Sequence, residues 1–233
     1  MKNIYTNGKY LEETKTWHTE DSHWKANQII KIISENKICP QQIVEVGCGG
    51  GMILKELSEK ELLTDVQFTG YDISPQAIEL SKQIENARIK FFWQDLCSET
   101  NTDRFDILLA IDVFEHVPDY MGFLSKCCKK AEYKIYHIPL DVHVSSVLKN
   151  TFMNSRHSVG HLHYFTADSA LATLRDTGHE IVDYFYPNWS ASVYGQPSLK
   201  RSIFNLPRWT ISKFSIPIAA RLLGGYSLLV LTK

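Results

Sequence analysis

This chain carries almost no net charge. Its 233 residues hold 25 Lys and Arg against 26 Asp and Glu, a balance of −1 at pH 7. An enzyme of DNA or RNA usually presents a basic face, so nucleic acid is not an expected partner. The one local cluster, Lys126, Lys129 and Lys130, reads as the solvated face of a helix. A membrane span is also missing: Ile216 to Leu223 is apolar but is broken by Pro217 and Arg221 and closed by a glycine pair. Crossing a bilayer takes about 20 apolar residues. The start, Met1-Lys2-Asn3-Ile4-Tyr5, lacks the basic-then-apolar pattern of a secretion signal. The five cysteines, at 39, 48, 97, 127 and 128, have no paired metal spacing. They read as free thiols in a reducing compartment, which makes the cytoplasm the expected location. No internal repeat or low-complexity tract occurs, and 233 residues suffice for one full core but not for two large domains. A single domain over 1–233 is the expectation.

What is present begins with Ile43-Val44-Glu45-Val46-Gly47-Cys48-Gly49-Gly50-Gly51, a buried-strand pattern ending in a glycine turn that opens a helix. Glycine accepts positive φ and lets backbone approach a ligand, and a helix start offers unpaired N–H groups. A nucleotide-like cofactor suits such a turn, although dinucleotides use similar ones. Three further strand patterns each run into an acid: 66–71 into Asp72, 89–93 into Asp95 one residue on, and 105–111 into Asp112. In an open parallel sheet ligands bind beyond the carboxyl ends of the strands, so these acids would share one rim with the glycine turn. The pattern therefore predicts a bound nucleoside.

With those residues in order, the chain resembles the class I S-adenosylmethionine-dependent methyltransferases that act on small molecules. The resemblance rests on Glu45 to Gly51, Gly70-Tyr71-Asp72-Ile73-Ser74, Trp93-Gln94-Asp95-Leu96 and Asp106 to Val117, within about residues 40–140. It implies a three-layer Rossmann-like α/β sandwich with a seven-stranded, mostly parallel sheet whose last strand is antiparallel. It also implies S-adenosylmethionine as cofactor and S-adenosylhomocysteine as product, with the methyl group passing to an oxygen or nitrogen of a small metabolite. In that pattern Gly47, Cys48, Gly49 and Gly51 pack against the methionine part, and Asp72, followed by Ile73, holds both ribose hydroxyls. A carboxylate suits two adjacent O–H donors, whereas an amide has one acceptor oxygen. Asp95 would take the adenine amino group with the Leu96 N–H on the ring; Asp112 and Val113 would lie beside the methionine, and Glu45 under the loop. His116 would border cofactor and acceptor as a candidate catalytic group.

The ends of the chain are expected to recognise the acceptor. Residues 1–38 read as a helical lid, with Tyr5, Tyr10, Trp17 and His18 as candidate substrate contacts and a helix from about Ser22 to Glu35 carrying Ile29, Ile32 and Ile33 at helical spacing. Residues 39–186 would be the cofactor-binding core. Within it, Pro139 to Tyr164 holds His143, His157, His161 and His163. No metal is expected there, since no cysteine or acid stands at a ligand interval. His161 is the preferred general base, its ordinary pKa near 6.5 suiting that work, and His163 a substrate contact. A helix from Thr166 to Asp176 and an edge strand from His179 to Tyr186 follow. The insert 187–225, with Trp189, Tyr194, Phe204, Trp209 and Phe214, reads as a substrate cover, with a dimer contact and a peripheral membrane contact as the other readings. Residues 226–233 would form the last strand, and the protein would be a monomer or homodimer. Two other functions fit parts of the pattern: a nicotinamide-dependent oxidoreductase, and a cofactor-binding regulatory partner without turnover.

Overall fold

The computed structural model describes residues 21–187 and 199–233. Seven strands, β1 (Gln42–Val46), β2 (Gln67–Asp72), β3 (Ile89–Trp93), β4 (Phe105–Ile111), β5 (Ala131–Pro139), β6 (Ile181–Phe185) and β7 (Ser227–Thr232), form one sheet. Their order is β3-β2-β1-β4-β5-β7-β6. Strands β1 to β5 pair in parallel, and β7 runs antiparallel between β5 and β6. The chain builds outward from β1 to β3, then returns to lay β4 on the other side of β1. The carboxyl ends of β1 and β4 thus flank the switch point, where open sheets of this type bind ligands.

The helices are α1 (Ser22–Glu35), α2 (Met52–Ser58), α3 (Pro75–Ser81), α4 (Tyr120–Cys127), α5 (Val144–Lys149), α6 (Phe152–Ser158), α7 (Ala167–Asp176), α8 (Leu199–Phe214) and α9 (Ile216–Leu223). Strand side chains alternate between faces, so the sheet carries two separate apolar layers. On one face Ile43, Ile107, Leu109, Ile135 and Leu229 meet α1 through Ala26, Ile29, Ile32 and Ile33, and α2 through Leu54 and Leu57. On the other, Val44, Leu108, Ala110, Tyr136 and Val230 meet Leu124 of α4, Leu171 and Leu174 of α7, and Ala219 and Ala220 of α9. The three-layer sandwich and the antiparallel last strand match the expectation. Ile29, Ile32 and Ile33 are fully buried, each worth about 1.5–3 kcal/mol of transfer free energy.

Local signals explain the helix ends. Thr166 caps α7 reciprocally with Ser169, and the chain turns away at Gly178 with φ +93°. Ser215 accepts from the Ile218 N–H at the start of α9, ahead of Pro217. Arg208 of α8 donates to the Gly224 and Leu223 carbonyls at the far end of α9, which holds these two helices together. No helix among the described residues is long and apolar enough to cross a membrane.

Two local expectations are corrected. Lys126 and Lys129 are exposed, but Lys130 is buried, its ammonium bonded to the Asn101 carbonyl and side-chain oxygen. It follows the end of α4, where the helical face no longer dictates its direction. Strand β6 is also shorter than 179–186, running Ile181–Phe185: the His179 N–H still bonds to the Leu174 carbonyl of α7, and its buried ring is hydrogen-bonded to Tyr136 at 2.7 Å.

Candidate active site

A cavity of about 1050 Å³ opens along the carboxyl rim from β2 to β7. Its near wall is the glycine turn. Gly47, Gly49 and Gly51 have φ of +70°, +52° and +77°, values that disfavour any side chain. At Gly47 there is a steric reason too, since a Cβ would sit 2.8 Å from Val113 Cγ2. The Gly47 and Cys48 amides donate to the Tyr71 carbonyl, which ties the turn to the end of β2. Asp72, at that end, accepts from the Gly49 N–H at 2.9 Å through Oδ2 and from the Ser74 N–H at 2.7 Å through Oδ1. Each oxygen keeps a second lone pair. Burial raises the Asp72 pKa, and the backbone N–H groups of Ser74 and Gly49 pull against it. Burial also pushes the Cys48 thiol well up, so Cys48 is a small packed side chain rather than a thiolate.

The floor of the cavity is an ionic cluster that crosses the sheet edge. Asp112, at φ +54°, accepts from Lys25 Nζ at 2.8 Å and from His137 Nδ1 at 2.6 Å, and Lys25 also meets Asp21 at 2.9 Å. Burial alone would raise Asp112, but His137 and Lys25 outweigh it and hold the carboxyl far below the usual range. Burial would likewise lower Lys25, and Asp112 and Asp21 reverse that and raise it. Glu45 differs: it lines the cavity, and its Oε2 is buried without a hydrogen-bond partner among the described residues. Burial raises its pKa well above the carboxylate norm, against the pull of Lys25. Among the described residues, Glu45 Oε2 is an acceptor that lacks a donor.

Across the cavity, beyond β4, the 3-10 turn Phe114–His116 meets the segment 160–163. The Leu162 and His163 amides both donate to the Glu115 carbonyl, at 2.8 and 3.1 Å. That clamp sets the His116 and His161 rings 4.9 Å apart, both on the cavity wall. His116 Nδ1 lies 3.1 Å from the Gly160 carbonyl, and His161 Nδ1 lies 2.6 Å from Asp141 Oδ2. Both partners are acceptors, so in both rings Nδ1 is the donor, and in the neutral form Nε2 carries the lone pair. Glu115 is fully buried behind them with neither carboxylate oxygen hydrogen-bonded among the described residues. Burial raises it well above its normal pKa, with Asp112 and Asp141 adding to the shift.

Of the residues expected from sequence, the cavity gathers Glu45, Gly47, Cys48, Gly49, Asp72, Ile73, Asp112, Val113, His116 and His161. Gly51 lies just behind, where a Cβ would run into the Phe91 ring. Asp95 does not line it: the side chain is exposed and accepts from the Cys97 N–H, while Leu96 is buried in the core. His163 is turned out of the cavity, against Tyr120 at 4.4 Å, with Nε2 on the Val117 carbonyl. Residues two apart share a face only in a regular strand, and 160–166 is irregular backbone, so the spacing of His161 and His163 does not put both in the cavity. Tyr5, Tyr10, Trp17 and His18 lie outside the described residues. Lys25, His137 and Asp141 had no sequence signal of their own, because each matters through a partner distant in the chain, and Glu115 was marked only as the neighbour of His116 in the resembling stretch.

A parallel sheet with a glycine turn and a buried acid at adjacent strand ends defines a nucleoside-binding α/β enzyme fold. The methyltransferase-domain family profile matches residues 18–184, and the chain belongs to that family. Curated relatives include the ubiquinone biosynthesis O-methyltransferase of Idiomarina loihiensis, 29% identical over 116 residues that cover 46% of each chain. The enzyme of the same name from Haemophilus ducreyi is 26% identical over 101 residues, 40% of this chain and 41% of that one. The chain spans about half the length of the curated relatives it matches. Among solved structures, the magnesium protoporphyrin IX methyltransferase of Synechocystis with bound SAH aligns at a TM-score of 0.58 and 14% identity, over 90% of this chain and 81% of that one. The N-methyltransferase NodS of Bradyrhizobium japonicum with S-adenosyl-L-homocysteine aligns at 0.55 and 14%, over 89% and 84%. At such identities these structures share the fold. The family match sets aside the nicotinamide-dependent reading.

Proposed function

We propose that the protein transfers a methyl group from S-adenosylmethionine to an oxygen or nitrogen of a small metabolite. The observation that carries this reading is the placement of Asp72, Glu45 and the glycine turn around one cavity whose far wall holds two imidazoles with their lone pairs on Nε2. The residues fit the cofactor. Asp72 retains one acceptor site on each oxygen, as two ribose hydroxyls require, and the donorless Glu45 Oε2 suits an amino group. The bare backbone at Gly47 and Gly49 admits the chain between them. A volume of about 1050 Å³ lies at the top of the range of about 300–1,000 Å³ typical of one ligand, which leaves room for an acceptor as well.

When bound, the cofactor's sulfonium supplies a methyl group that departs readily to a nucleophile. The protein's own part is alignment and dryness: Lys25, Asp112 and His137 fix the floor, and His116 and His161 meet the acceptor's hydroxyl or amine. Their Nε2 lone pairs lower the cost of removing its proton. Alignment of reacting groups contributes about 7–11 kcal/mol in favourable intramolecular cases. A lid from residues 1–38 and a cover from the insert 187–225 would add water exclusion.

Calorimetric titration of the purified protein with S-adenosylmethionine, S-adenosylhomocysteine and NADH tests the cofactor. Micromolar binding of the first two and none of NADH is expected; binding of NADH alone overturns the reading. A screen of hydroxylated and amino acceptors then tests transfer. Tight cofactor binding with no turnover on any of them would favour the regulatory partner.

A further inference from the structure

We propose that Glu115, His116 and His161 form a binding site for a divalent transition-metal ion at the acceptor end of the cavity. One ligand atom from each lies within 4.8 Å of the others, and His116 Nε2 is 4.0 Å from Glu115 Oε1. Three independent features point to a cation. The first is Glu115 itself: a fully buried carboxylate whose two oxygens meet no hydrogen-bond donor among the described residues. Leaving such a group unsatisfied is costly, and a cation is the partner that removes the cost. The second is the tautomer of both imidazoles. Metal-binding histidines pass their other N–H to a carboxylate or backbone carbonyl, which fixes the ring and leaves a lone pair for the ion. His161 does the first through Asp141 and His116 does the second through Gly160. The third is access, because both rings line the cavity while Glu115 stands behind them. Three protein ligands on one side leave coordination positions open toward the acceptor, the arrangement of catalytic sites.

Two nitrogens and one carboxylate select zinc, iron or manganese over magnesium or calcium, which prefer oxygen. Drawing the three ligands onto an ion with bonds of about 2.0–2.2 Å requires the rings and carboxylate to close by roughly an ångström, within side-chain motion. The sequence hid this site, since Glu115 and His161 are far apart in the chain and join only through the clamp of Leu162 and His163 on the Glu115 carbonyl.

The role of the ion rests on the methyl-transfer reading, though its geometry does not. With the ion bound, the two Nε2 lone pairs serve as ligands in place of the proton-accepting role they have in the metal-free site, and a hydroxyl oxygen bound to the ion loses its proton to solvent more readily. Another of its lone pairs then forms the bond to the methyl carbon as the carbon–sulfur bond breaks, and that electron pair stays on sulfur. An amine has one lone pair, which the ion would occupy. The site therefore favours an acidic hydroxyl such as a phenol or enol as acceptor, over an amine.

Equilibrium dialysis of the full chain against Co2+, read by cobalt content and visible absorption, tests the site. S-adenosylmethionine calorimetry on the same samples runs beside it. Wild type should hold about one Co2+ with the strong absorption of a low-coordinate nitrogen-containing site, and excess Mg2+ should not displace it. Asp141→Asn should weaken retention about 10–100-fold, and Glu115→Gln and His161→Ala at least as much. Wild type that binds S-adenosylmethionine but no Co2+ overturns the metal site and leaves methyl transfer standing. Retention unchanged in both Glu115→Gln and His161→Ala also overturns it. Wild-type retention that both variants lose, without S-adenosylmethionine binding, upholds the site and removes the methyl-transfer reading.

Discussion

Asp141 Oδ2 accepts the Nδ1 proton of His161 at 2.6 Å, joining the loop after β5 to the segment that crosses above it. The pair settles which imidazole nitrogen faces the chemistry. Replacing Asp141 with Asn offers His161 either an amide oxygen or an amide N–H, so the tautomer is no longer fixed. Turnover should fall about 10–100-fold while S-adenosylmethionine affinity changes little. Asp141→Glu should recover part of the loss. Steady-state kinetics with parallel calorimetry checks the split, and equal losses in both quantities would make Asp141 a merely structural residue.

Asp72 supports the backbone and faces the cavity at once. Asp72→Asn keeps one acceptor oxygen and places an NH2 where the Gly49 or Ser74 N–H now donates. S-adenosylmethionine binding should weaken by more than about tenfold, equivalent to about 1.4 kcal/mol or more. Unchanged affinity in the titration would remove the ribose assignment.

The strands and the glycine turn were legible because their signals are local. Runs such as Ile107 to Ile111 are apolar on both faces and end at an acid, and alternation alone predicts which neighbours they bury. The candidate site was legible where a local pattern marked a residue, as the strand ends did for Asp72 and Asp112, and where the resemblance added one, as for His116. Asp95 has the same strand-end signal and sits in solvent, so position alone does not place a side chain in the cavity. Lys25 reads in sequence as one more polar residue on a helix, yet it is buried against Asp112, with 87 residues of chain from 25 to 112. Glu115 stands in sequence only as the neighbour of His116 in a pair that the resemblance sets beside cofactor and acceptor. Its burial depends on the segment 160–163 folding over it, which no local pattern encodes.

The glycine turn makes a test in which the clash can be undone. Gly47→Ala adds a methyl 2.8 Å from Val113 Cγ2 at a φ of +70°. The left-handed conformation alone costs about 1–2 kcal/mol, and the contact adds to it. Denaturant unfolding should show the single variant destabilised. The double variant with Val113→Ala should be less destabilised than the two single losses summed, since the new methyl then has space. Strict additivity would show that the strain lies in the backbone alone.

His179 gives the fold a pH dependence away from the cavity. Burial lowers its pKa to about 4, with Lys134 adding to the shift, and its Nε2 accepts the Tyr136 hydroxyl while Nδ1 faces the Leu174 carbonyl and Thr177 hydroxyl. The unfolded chain returns His179 to about 6.5. Between these values the unfolded state binds more protons than the folded one, so stability from this group rises with pH across the window. It is complete above pH of about 6.5 and lost as pH falls toward 4. Protonation at Nε2 would also leave the buried Tyr136 hydroxyl without its acceptor. Urea unfolding between pH 4 and 7 should therefore show stability climbing in wild type and a flatter profile in His179→Gln. An equally steep climb in the variant would assign the slope to other groups.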